Sequence, residues 1–417
     1  MTRVLNTIIT FMLISSTGGL LFVFNRNIAF LIFALIIIIG LFIIGRGIKK
    51  SVYYSSLLVF IAVMLLFMIN YFCAINPQSI TKYTFFGITI FTTVLTLFYF
   101  NNQGSKEVFI NSLYFVLKLI LFHSLFSFVA YYFVQDQLFL ITSKYHESYT
   151  YNYLFYYAGK AKESWTYINF FGFDLHRNGG MFWEPGILQI YLNVLLFLEL
   201  SIFKRDKLLL LLILIAILTT YSTTGLLILL IQVIYFLQKE FKYNIAIIFI
   251  LLFAVPLYFV VSINMSEKVY GEGEASFQKR LFDLTQPLFI ALEYPLTGVG
   301  LDSDRWQEVR AEFYINSDLN NTLRQVGVEQ KVETTSRGSS NSVMYMLAGM
   351  GFPTTFLFLF MFIKQQIVTK DRFICFIILF LSIMSEPLLF RPFFLIFIMS
   401  GFLHFFYKFV NHKKYLI

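Results

Sequence analysis

Charged residues are scarce in this sequence. Asp, Glu, Lys and Arg make up 13% of its 417 residues, whereas hydrophobic residues make up 58%. A water-soluble domain has roughly 25% charged residues, so this chain has too few to cover its surface in water. The composition therefore excludes a protein built of soluble domains and indicates that lipid surrounds most of the chain.

Metal-binding and nucleotide-binding patterns are also missing. The two cysteines, Cys73 and Cys375, lie in apolar runs, and the five histidines form no closely spaced pair. A catalytic metal has little support, because zinc sites need clustered Cys, His or carboxylate ligands. The sequence has no Walker motif and no glycine-rich nucleotide fingerprint. We therefore expect no metal, no cofactor and no nucleic-acid partner.

Long apolar runs are what the sequence does have. A helix needs ~20 apolar residues to cross a bilayer. Twelve such runs occur, near residues 5–24, 28–45, 55–73, 80–100, 108–134, 180–203, 207–221, 223–238, 243–263, 341–363, 372–386 and 389–409. The sequence therefore predicts an all-α polytopic membrane protein with twelve transmembrane helices and two large outward-facing loops.

The predicted organisation has five consecutive segments. They are residues 1–134 with transmembrane helices 1–5, residues 135–179 as an outward aromatic loop, residues 180–263 with helices 6–9, residues 264–340 as a large outward loop with short helices, and residues 341–417 with helices 10–12 and a cytoplasmic tail.

Lysine and arginine are distributed unevenly among the short connections. Connections on one side of the predicted bundle carry sixteen of them, and those on the other side carry only Arg26, Lys82 and Arg391. Short cytoplasmic connections are the ones enriched in Lys and Arg. We therefore predict a multi-pass protein of the inner (cytoplasmic) membrane, with both termini cytoplasmic and both long loops facing outward.

The first candidate site motif ends the first long loop and reads Arg177-Asn178-Gly179-Gly180-Met181-Phe182-Trp183-Glu184-Pro185-Gly186. Glu184 is expected one to two turns inside the next helix, with Pro185 removing a helical hydrogen bond and inviting a kink. A charged residue facing lipid costs ~2.5–3.5 kcal/mol, so Glu184 is expected to face the protein interior, a water-filled pocket or a cation. The alternative is a Glu at the membrane surface that water or Arg177 satisfies.

The second long loop contains two further motifs. Ser276 and Arg280 are spaced as S-x-x-x-R, and residues 295–300 read P-x-x-G-x-G, which is typical of a tight turn with close backbone approach. Arg280 is a natural phosphate ligand, because its guanidinium makes paired charged hydrogen bonds. The alternative is a solvated charge that pairs with Asp283.

Polar residues also lie next to the last predicted helices. Ser340 and Asn341 precede a helix that contains Gly351, where they either contact substrate or simply cap the helix. Glu386 and Arg391 lie in the last outward loop and are expected to line an outer pocket. The alternative for these two residues is a local ion pair.

Aromatic residues are abundant in the first long loop. Their rings are expected either to stack on sugar faces or to belong to the aromatic belt at the membrane surface. They are Tyr145, Tyr149, Tyr151, Tyr153, Phe155, Tyr156, Tyr157, Trp165 and Tyr167.

Together and in this order, the motifs resemble those of the O-antigen polymerase (Wzy-type) and O-antigen ligase superfamily of integral membrane glycosyltransferases. That pattern has an Arg before a Gly-rich turn and F-x-E-P-G, then S-x-x-x-R, then P-x-x-G-x-G, and a polar pair before a Gly-containing helix. The residues that fit it are Arg177, Gly179, Gly180, Phe182, Glu184, Pro185, Gly186, Ser276, Arg280, Pro295, Gly298, Gly300, Ser340, Asn341 and Gly351.

The resemblance implies a polymerase of O-antigen or capsule polysaccharide. Such an enzyme transfers a growing glycan from undecaprenyl diphosphate onto a lipid-linked repeat unit at the outer face of the membrane, facing the periplasm or the exterior. The family needs no metal and no nucleotide sugar, so arginines must stabilise the leaving diphosphate. Glu184, Arg280 and Arg177 are the expected catalytic residues.

Six residues are expected to bind the diphosphate or the rest of the substrate: Arg177, Arg280, Arg391, Ser340, Asn341 and Glu386. Glu184 is the first candidate for the general base and Glu386 the second. The expected partners are the undecaprenyl-diphosphate-linked oligosaccharide, the lipid bilayer and a chain-length regulator.

Two alternatives stay open. O-antigen ligases, which transfer glycan to lipid A core, usually carry His-Asn where this chain has Ser340-Asn341, and that difference favours a polymerase. A flippase for lipid-linked oligosaccharides is a transporter, and it needs less extramembrane mass than residues 264–340 provide. Many transporters are also built from paired halves, and no internal repeat is evident here.

Overall fold

The structure of the protein is a computed structural model. It describes residues 2–44, 49–103, 106–142, 147–152, 154–157, 167–170, 173–203, 206–240, 274–316 and 339–412. The run predicted as the ninth helix, residues 243–263, and parts of the second long loop lie outside the described residues.

Helices make up most of the described chain. Their bounds are α1 Thr2–Ser15, α2 Leu20–Phe24, α3 Arg26–Ile44, α4 Lys50–Cys73, α5 Ile80–Asn102, α6 Lys106–Val134, α7 Pro185–Ser201, α8 Lys207–Thr220, α9 Thr223–Glu240, α10 Glu274–Glu293, α11 Ser303–Asn316, α12 Ser342–Ile363, α13 Arg372–Ser385 and α14 Pro392–His412. Within the described ranges, seven helices are long and apolar enough to cross a membrane, and α1, α7, α8 and α13 are shorter apolar helices. A mostly helical membrane protein is thus confirmed, whereas the count of twelve spanning helices stays a prediction.

The first apolar run, expected as one helix over residues 5–24, is divided into α1 and α2. Gly18 has a φ of +144°, and the backbone of Gly19 pairs with Phe182 in an isolated antiparallel bridge. A Cβ at Gly18 would lie 2.6 Å from the ring of Trp183. The helix stops because the segment before α7 packs against these two glycines.

The chain forms two compact units. Unit 1 consists of Met1–Ile44, Ser105–Gly273 and Val368–Ser382, and unit 2 consists of Gly45–Gly104, Glu274–Ile367 and Ile383–Ile417. In unit 1, α6 packs against α1, α7 and α8, and α7 also packs against α8 and α9. Almost every residue of α7 is buried, as expected for a helix that is apolar all round and surrounded by others.

Short β-strands, which the sequence analysis did not predict, lie between α6 and α7. They are β1 Phe139–Thr142, β2 Glu147–Tyr151, β3 Phe155–Tyr157, β4 Tyr167–Phe170 and β5 Phe173–His176. The first three form an antiparallel sheet in the order β1-β2-β3, and β4 pairs with β5. Aromatic residues favour strands because their side chains pack well on a pleated, half-buried surface.

Unit 2 is built on a helical hairpin. α4 pairs with α5, α14 packs against both, and α12 packs against α14. α10 lies along α12, and a buried cluster that includes Ile290, Val299, Trp306 and Ala348 joins them. Both described helices of the second long loop are therefore part of the packed unit.

Candidate functional site

Arg177 lies at the C-terminal end of α8. Its guanidinium donates from Nε to the carbonyl oxygen of Thr220 (3.2 Å) and from Nη2 to that of Tyr221 (3.4 Å). Beside it, the backbone amide of Asn178 donates to the carbonyl oxygen of Thr219 (3.0 Å). The last carbonyls of a helix lack intrahelical partners and carry partial negative charge. These carbonyls therefore bind Arg177 and hold its charge in a fixed place.

Glu184 is the N-cap residue of α7. Its backbone is extended, with φ −144° and ψ 138°, and its carbonyl oxygen accepts from the amide of Ile187 (3.1 Å). Pro185 occupies the first turn of α7, where its missing N–H removes no helical hydrogen bond. The expectations that Glu184 lies inside the helix and that Pro185 kinks it are therefore wrong. The half-buried Glu184 side chain lies where the partial positive charge of a helix N-terminus favours a carboxylate.

Arg280 lies on α10 with its side chain exposed. No hydrogen bond or ion pair joins it to another residue in the described part of the chain. Asp283, the partner considered for it, instead pairs with Arg310 of α11, and Arg310 Nη2 is 3.1 Å from Asp283 Oδ1. The expected Arg280–Asp283 pair is not formed, so Arg280 is a cation without a carboxylate among the described residues.

Asp283 is the centre of a buried polar cluster. The side chains of Asp283 and Arg310 are 1% and 3% exposed. Ser340 donates to Asp283 Oδ2 from its backbone amide (2.8 Å) and from Oγ (2.7 Å). Arg310 Nε donates to Gln286 Oε1 (3.0 Å), and the guanidinium lies 4.2 Å from the centre of the Phe282 ring. Because a buried charge is stable only when it is paired and hydrogen-bonded, this cluster fixes α10, α11 and Ser340, two residues before α12, together.

α12 is broken at Gly351, which has φ +76° and ψ 172°. In an unbroken helix, the carbonyls of Ala348 and Gly349 would accept from the amides of Phe352 and Pro353. Pro353 has no N–H to donate, and the amide of Phe352 bonds elsewhere. The break therefore leaves two carbonyls that need other donors, because buried backbone groups are almost always paired.

The strap, defined as residues 295–300 (the P-x-x-G-x-G run), supplies these donors. Its amides at Val299 and Gly300 donate to the two carbonyls freed in α12, at 2.9 Å each. In return, the carbonyl oxygen of Pro295 accepts from the amide of Phe352 (2.8 Å). The close backbone approach expected from the sequence motif is thus an approach to α12.

A polar network missed by the sequence analysis supports the strap. Asn70 Nδ2 donates to the carbonyl oxygens of Thr297 (2.7 Å) and Gly349 (2.8 Å). The hydroxyl of Tyr83 donates to Asn70 Oδ1 and accepts from the amide of Leu301 (3.1 Å). The sequence signal for this network is Asn70 in the last turn of the apolar helix α4 and Tyr83 in the first turn of α5.

Asn341 caps α12, because its Oδ1 accepts from the amide of Met344 (3.1 Å). Capping is the structural role that the sequence left open for Asn341.

Glu386 and Arg391 lie in the connection between α13 and α14. The Glu386 side chain is buried, and its carbonyl oxygen accepts from Ser342 Oγ (2.6 Å). Arg391 is half-buried, and its carbonyl accepts the first helical hydrogen bonds of α14.

The predicted site residues are divided between the units. Unit 1 contains Arg177 and Glu184; unit 2 contains Arg280, Ser340, Asn341, Glu386 and Arg391. Within unit 2, the Asp283 cluster holds Ser340 against α10, one helical turn from Arg280. The catalytic and substrate-binding roles of all seven residues stay predictions.

Most of the rings considered for sugar stacking are packed within unit 1. Phe155, Tyr156 and Tyr157 are buried, and Tyr149, Tyr151 and Tyr167 pack against the cluster that includes Phe155 and Tyr157. Tyr145, Tyr153 and Trp165 lie outside the described residues. The described rings thus hold the small sheet on α6.

Metal ligands are not gathered anywhere in the described ranges, where no three His, Cys, Asp or Glu side chains lie close enough to share an ion. Metal independence nevertheless stays a prediction of the sequence.

Residues 208–359 match the family model described as O-antigen ligase. This segment includes α8 to α11, the strap and most of α12, and therefore Arg280, Ser340 and Asn341, whereas Arg177, Glu184, Glu386 and Arg391 lie outside it. No curated protein shows significant similarity to the chain. The family match confirms the resemblance to the O-antigen polymerase and ligase superfamily.

Proposed function

Residues 208–359 carry a segment of the O-antigen ligase family within a helical membrane protein, and from this premise we propose that the chain is a polysaccharide polymerase. The family match indicates a membrane enzyme of O-antigen ligase or polymerase type. The proposed substrate is a growing O-antigen or capsule glycan on undecaprenyl diphosphate, and the acceptor is a lipid-linked repeat unit. The proposed site faces outward from the inner membrane, and a chain-length regulator is a proposed partner.

The proposed reaction exchanges one bond at the anomeric carbon. A hydroxyl oxygen of the acceptor sugar forms a bond to that carbon, and the bond from the carbon to the diphosphate oxygen breaks. The hydroxyl proton passes to a carboxylate, for which Glu184 is the first candidate and Glu386 the second. Undecaprenyl diphosphate leaves with the bonding electrons, so negative charge develops on the diphosphate as the transition state forms.

The exposed guanidinium of Arg280 is the observation that supports this chemistry best. Preorganised cations aimed at developing charge lower the barrier of such reactions. Arg310, on the neighbouring helix, is already neutralised by Asp283 and buried, so it is poorly suited to bind a diphosphate. Arg177 and Arg391 are proposed as further ligands of the diphosphate or the attached glycan.

Ser340 supports a polymerase over a ligase. Ligases of the superfamily usually have His at this position, where a ring nitrogen can accept a proton. In this chain both the amide and the hydroxyl of Ser340 donate to Asp283, so the residue has a structural role. The second candidate, a ligase that transfers glycan to lipid A core, is favoured only by the description of the matching family.

Deleting the gene in its host distinguishes these functions. The surface polysaccharide is then separated on a gel. If the protein is a polymerase, acceptors in the deletion strain should carry a single repeat unit. If it is a ligase, full-length chains should remain on the lipid carrier. If it is a flippase, no repeat unit should be exported. A normal ladder would contradict all three.

The role of Arg280 is tested by complementing the deletion strain with Arg280→Ala and Arg280→Lys. Both variants should lose polymer at wild-type protein level, because Lys cannot make the paired contact of a guanidinium. Each lost charged hydrogen bond contributes about 1.5–3 kcal/mol, which corresponds to roughly tenfold or more in rate.

The matched control is Arg305→Ala. Arg305 is an exposed arginine of α11 in the same unit, where it pairs with Glu308 (2.8 Å). This variant should keep the wild-type ladder. Long chains in the Arg280→Ala strain, or an equal loss in the Arg305→Ala strain, would overturn the role of Arg280.

A further inference from the structure

α6 is longer than the hydrocarbon core of a membrane is thick. Its 29 residues span about 43 Å at 1.5 Å per residue, whereas the hydrocarbon core of a bilayer is about 30 Å thick. A stripe of exposed apolar side chains runs along one face of the helix: Phe115, Leu119, Phe122, Phe126, Val129 and Phe133. This spacing of three and four residues keeps the side chains on one face, so the part of the stripe within the hydrocarbon core is the lipid-facing side of α6.

The β1-β2-β3 sheet lies beside the second half of α6. At the start of β3, the Phe155 ring lies 5.7 Å from the His123 ring and 5.6 Å from the Phe126 ring. At the end of β3, the Tyr157 hydroxyl donates to the Ser127 carbonyl (2.9 Å). β3 therefore runs along α6 towards its C-terminus. The turn between β2 and β3 lies level with residue 123, roughly 16 Å before the end of the helix.

The exposed surface of the sheet changes from apolar to polar along the same direction. Near the turn, Leu154 is 55% exposed, and Phe139, which pairs with Thr150, is 39% exposed. Leu140, opposite Tyr149 at the middle of β2, is 48% exposed, and Asn152 is the exposed polar residue of the turn. At the opposite end, the exposed residues are Thr142 and Glu147, which pair across β1 and β2. The sheet thus has an apolar end beside the middle of α6 and a polar end beside its C-terminus.

We propose that the apolar end of this sheet is inserted into the boundary of the bilayer. If α6 enters the hydrocarbon core at its first turn, about 20 residues bring it to the opposite boundary, near Phe126. That is the level of the β2–β3 turn. Insertion joins the exposed Leu154 side chain to the lipid-facing stripe of α6, so both occupy one continuous apolar surface.

The described backbone groups of Leu154 and Phe155 are suited to this position. A backbone group in lipid must be paired within the protein. The Leu154 amide donates to the Tyr151 carbonyl (3.3 Å), and the Leu154 carbonyl accepts from His123 Nε2 (3.2 Å). The Phe155 carbonyl accepts from Thr150 Oγ1 (2.9 Å). These hydrogen bonds pair the Leu154 amide and the Leu154 and Phe155 carbonyls within the protein.

Depth-dependent quenching tests the insertion. Single cysteines replace Leu154 or Leu140 in a background with Cys73→Ser and Cys375→Ala, and Glu147→Cys is the matched control at the polar end of the same sheet. Each purified full-length variant is labelled with bimane and placed in phosphatidylcholine–phosphatidylglycerol vesicles. Fluorescence is quenched with aqueous iodide, or with lipids brominated high on the acyl chain.

The expected result is that brominated lipid quenches the Leu154→Cys and Leu140→Cys labels several-fold more than the Glu147→Cys label, and that iodide gives the reverse order. Equal iodide quenching at Leu154→Cys and Glu147→Cys would overturn the proposal. So would protection of Leu154→Cys accompanied by disulfide-linked dimers in detergent, because a second copy would then cover the surface. Two independent apolar positions keep the test decisive if one variant fails to fold.

Discussion

At the scale of single residues, the Asp283–Arg310 pair couples two helices of unit 2. Removing one partner leaves the other buried without a counter-charge, which destabilises a protein by about 3–5 kcal/mol. Asp283→Ala and Arg310→Ala should each lower the free energy of unfolding by this amount. The double variant should lose clearly less than the sum, as a double-mutant cycle in mixed micelles would measure.

The control cycle uses Arg305 and Glu308, whose side chains are 49% and 62% exposed. An exposed pair contributes about 0–1 kcal/mol, so Arg305→Ala and Glu308→Ala should change the unfolding free energy little. If the losses at Asp283 and Arg310 simply add, the two side chains are not coupled and the buried pair has been misassigned.

Asp371, before α13, gives unit 1 a pH-dependent contact. Burial alone raises the pKa of its carboxyl, but hydrogen bonds from Lys239 (2.6 Å), Ser201 (2.5 Å) and Tyr235 (2.7 Å) outweigh this effect and lower the pKa to about 2. A lowered folded-state pKa stabilises the fold above the unfolded value of about 3.9, and this contribution is lost as the pH falls from about 4 towards 2.

Asp371→Asn should therefore lower the midpoint of thermal unfolding in detergent between pH 5 and pH 8. The difference from wild type should shrink below about pH 4, where the wild-type carboxyl begins to lose its advantage. Melting curves over this pH range measure both effects. A difference that stays constant down to pH 3 would mean that the charge of Asp371 does not contribute.

At the scale of elements, the strap and α12 complete each other's hydrogen bonds. Gly351 has a φ of +76°, and a Cβ there would lie 2.4 Å from the Leu296 carbonyl oxygen. Gly351→Ala should therefore fold poorly, with strongly reduced yield and a lower melting temperature, because both the backbone conformation and the close contact are lost.

Gly87→Ala is the matched control for this substitution. Gly87 lies within α5, and its added Cβ would lie 3.3 Å from the flexible end of Met64. Ala is also favoured over Gly within a helix by about 1 kcal/mol, so yield and melting temperature should stay near wild type. Equal yields of the Gly87 and Gly351 variants would show that the break in α12 is not required.

The helices were largely predictable at this scale, and the strands were not. Apolar runs predict α4, α5 and α6 to within five residues at each end, because burial in lipid demands length and apolarity. The short strands before α7 have few residues each, and their aromatic side chains also suit a membrane surface, so periodicity does not separate the two. Pro185 is expected inside a helix only because the apolar run is taken to begin at residue 180. The enrichment of Pro at the first helical position is the local signal for the start at Pro185 that the structure shows.

For the whole molecule, the distribution of Lys and Arg predicts that both termini are cytoplasmic. A fluorescent protein that matures only in the cytoplasm should fluoresce when fused after His412. A phosphatase that is active only outside the cytoplasm should be active when inserted after Thr142. The reverse pattern would invert the proposed orientation and with it the outward-facing site.

The site was only partly predictable from the whole sequence. Arg280 and Ser340 carry recognisable motifs, and residue chemistry points to phosphate binding or helix capping. The partner of Asp283 is Arg310, which lies 27 positions further along the chain on another helix. Tertiary packing brings Asp283 and Arg310 together, and no local sequence pattern predicts such a pair. The support that Asn70 gives to the strap was missed for the same reason.

The strap is synthesised before the part of α12 to which it is hydrogen-bonded. Val299 and Gly300 leave the ribosome before the carbonyls of Ala348 and Gly349 exist. Until Ala348 and Gly349 have been synthesised, the amides of Val299 and Gly300 can bond only to water. The strap must therefore stay exposed to water until then. A chain truncated before Ala348 should consequently remain an incomplete intermediate, open to quality-control proteases.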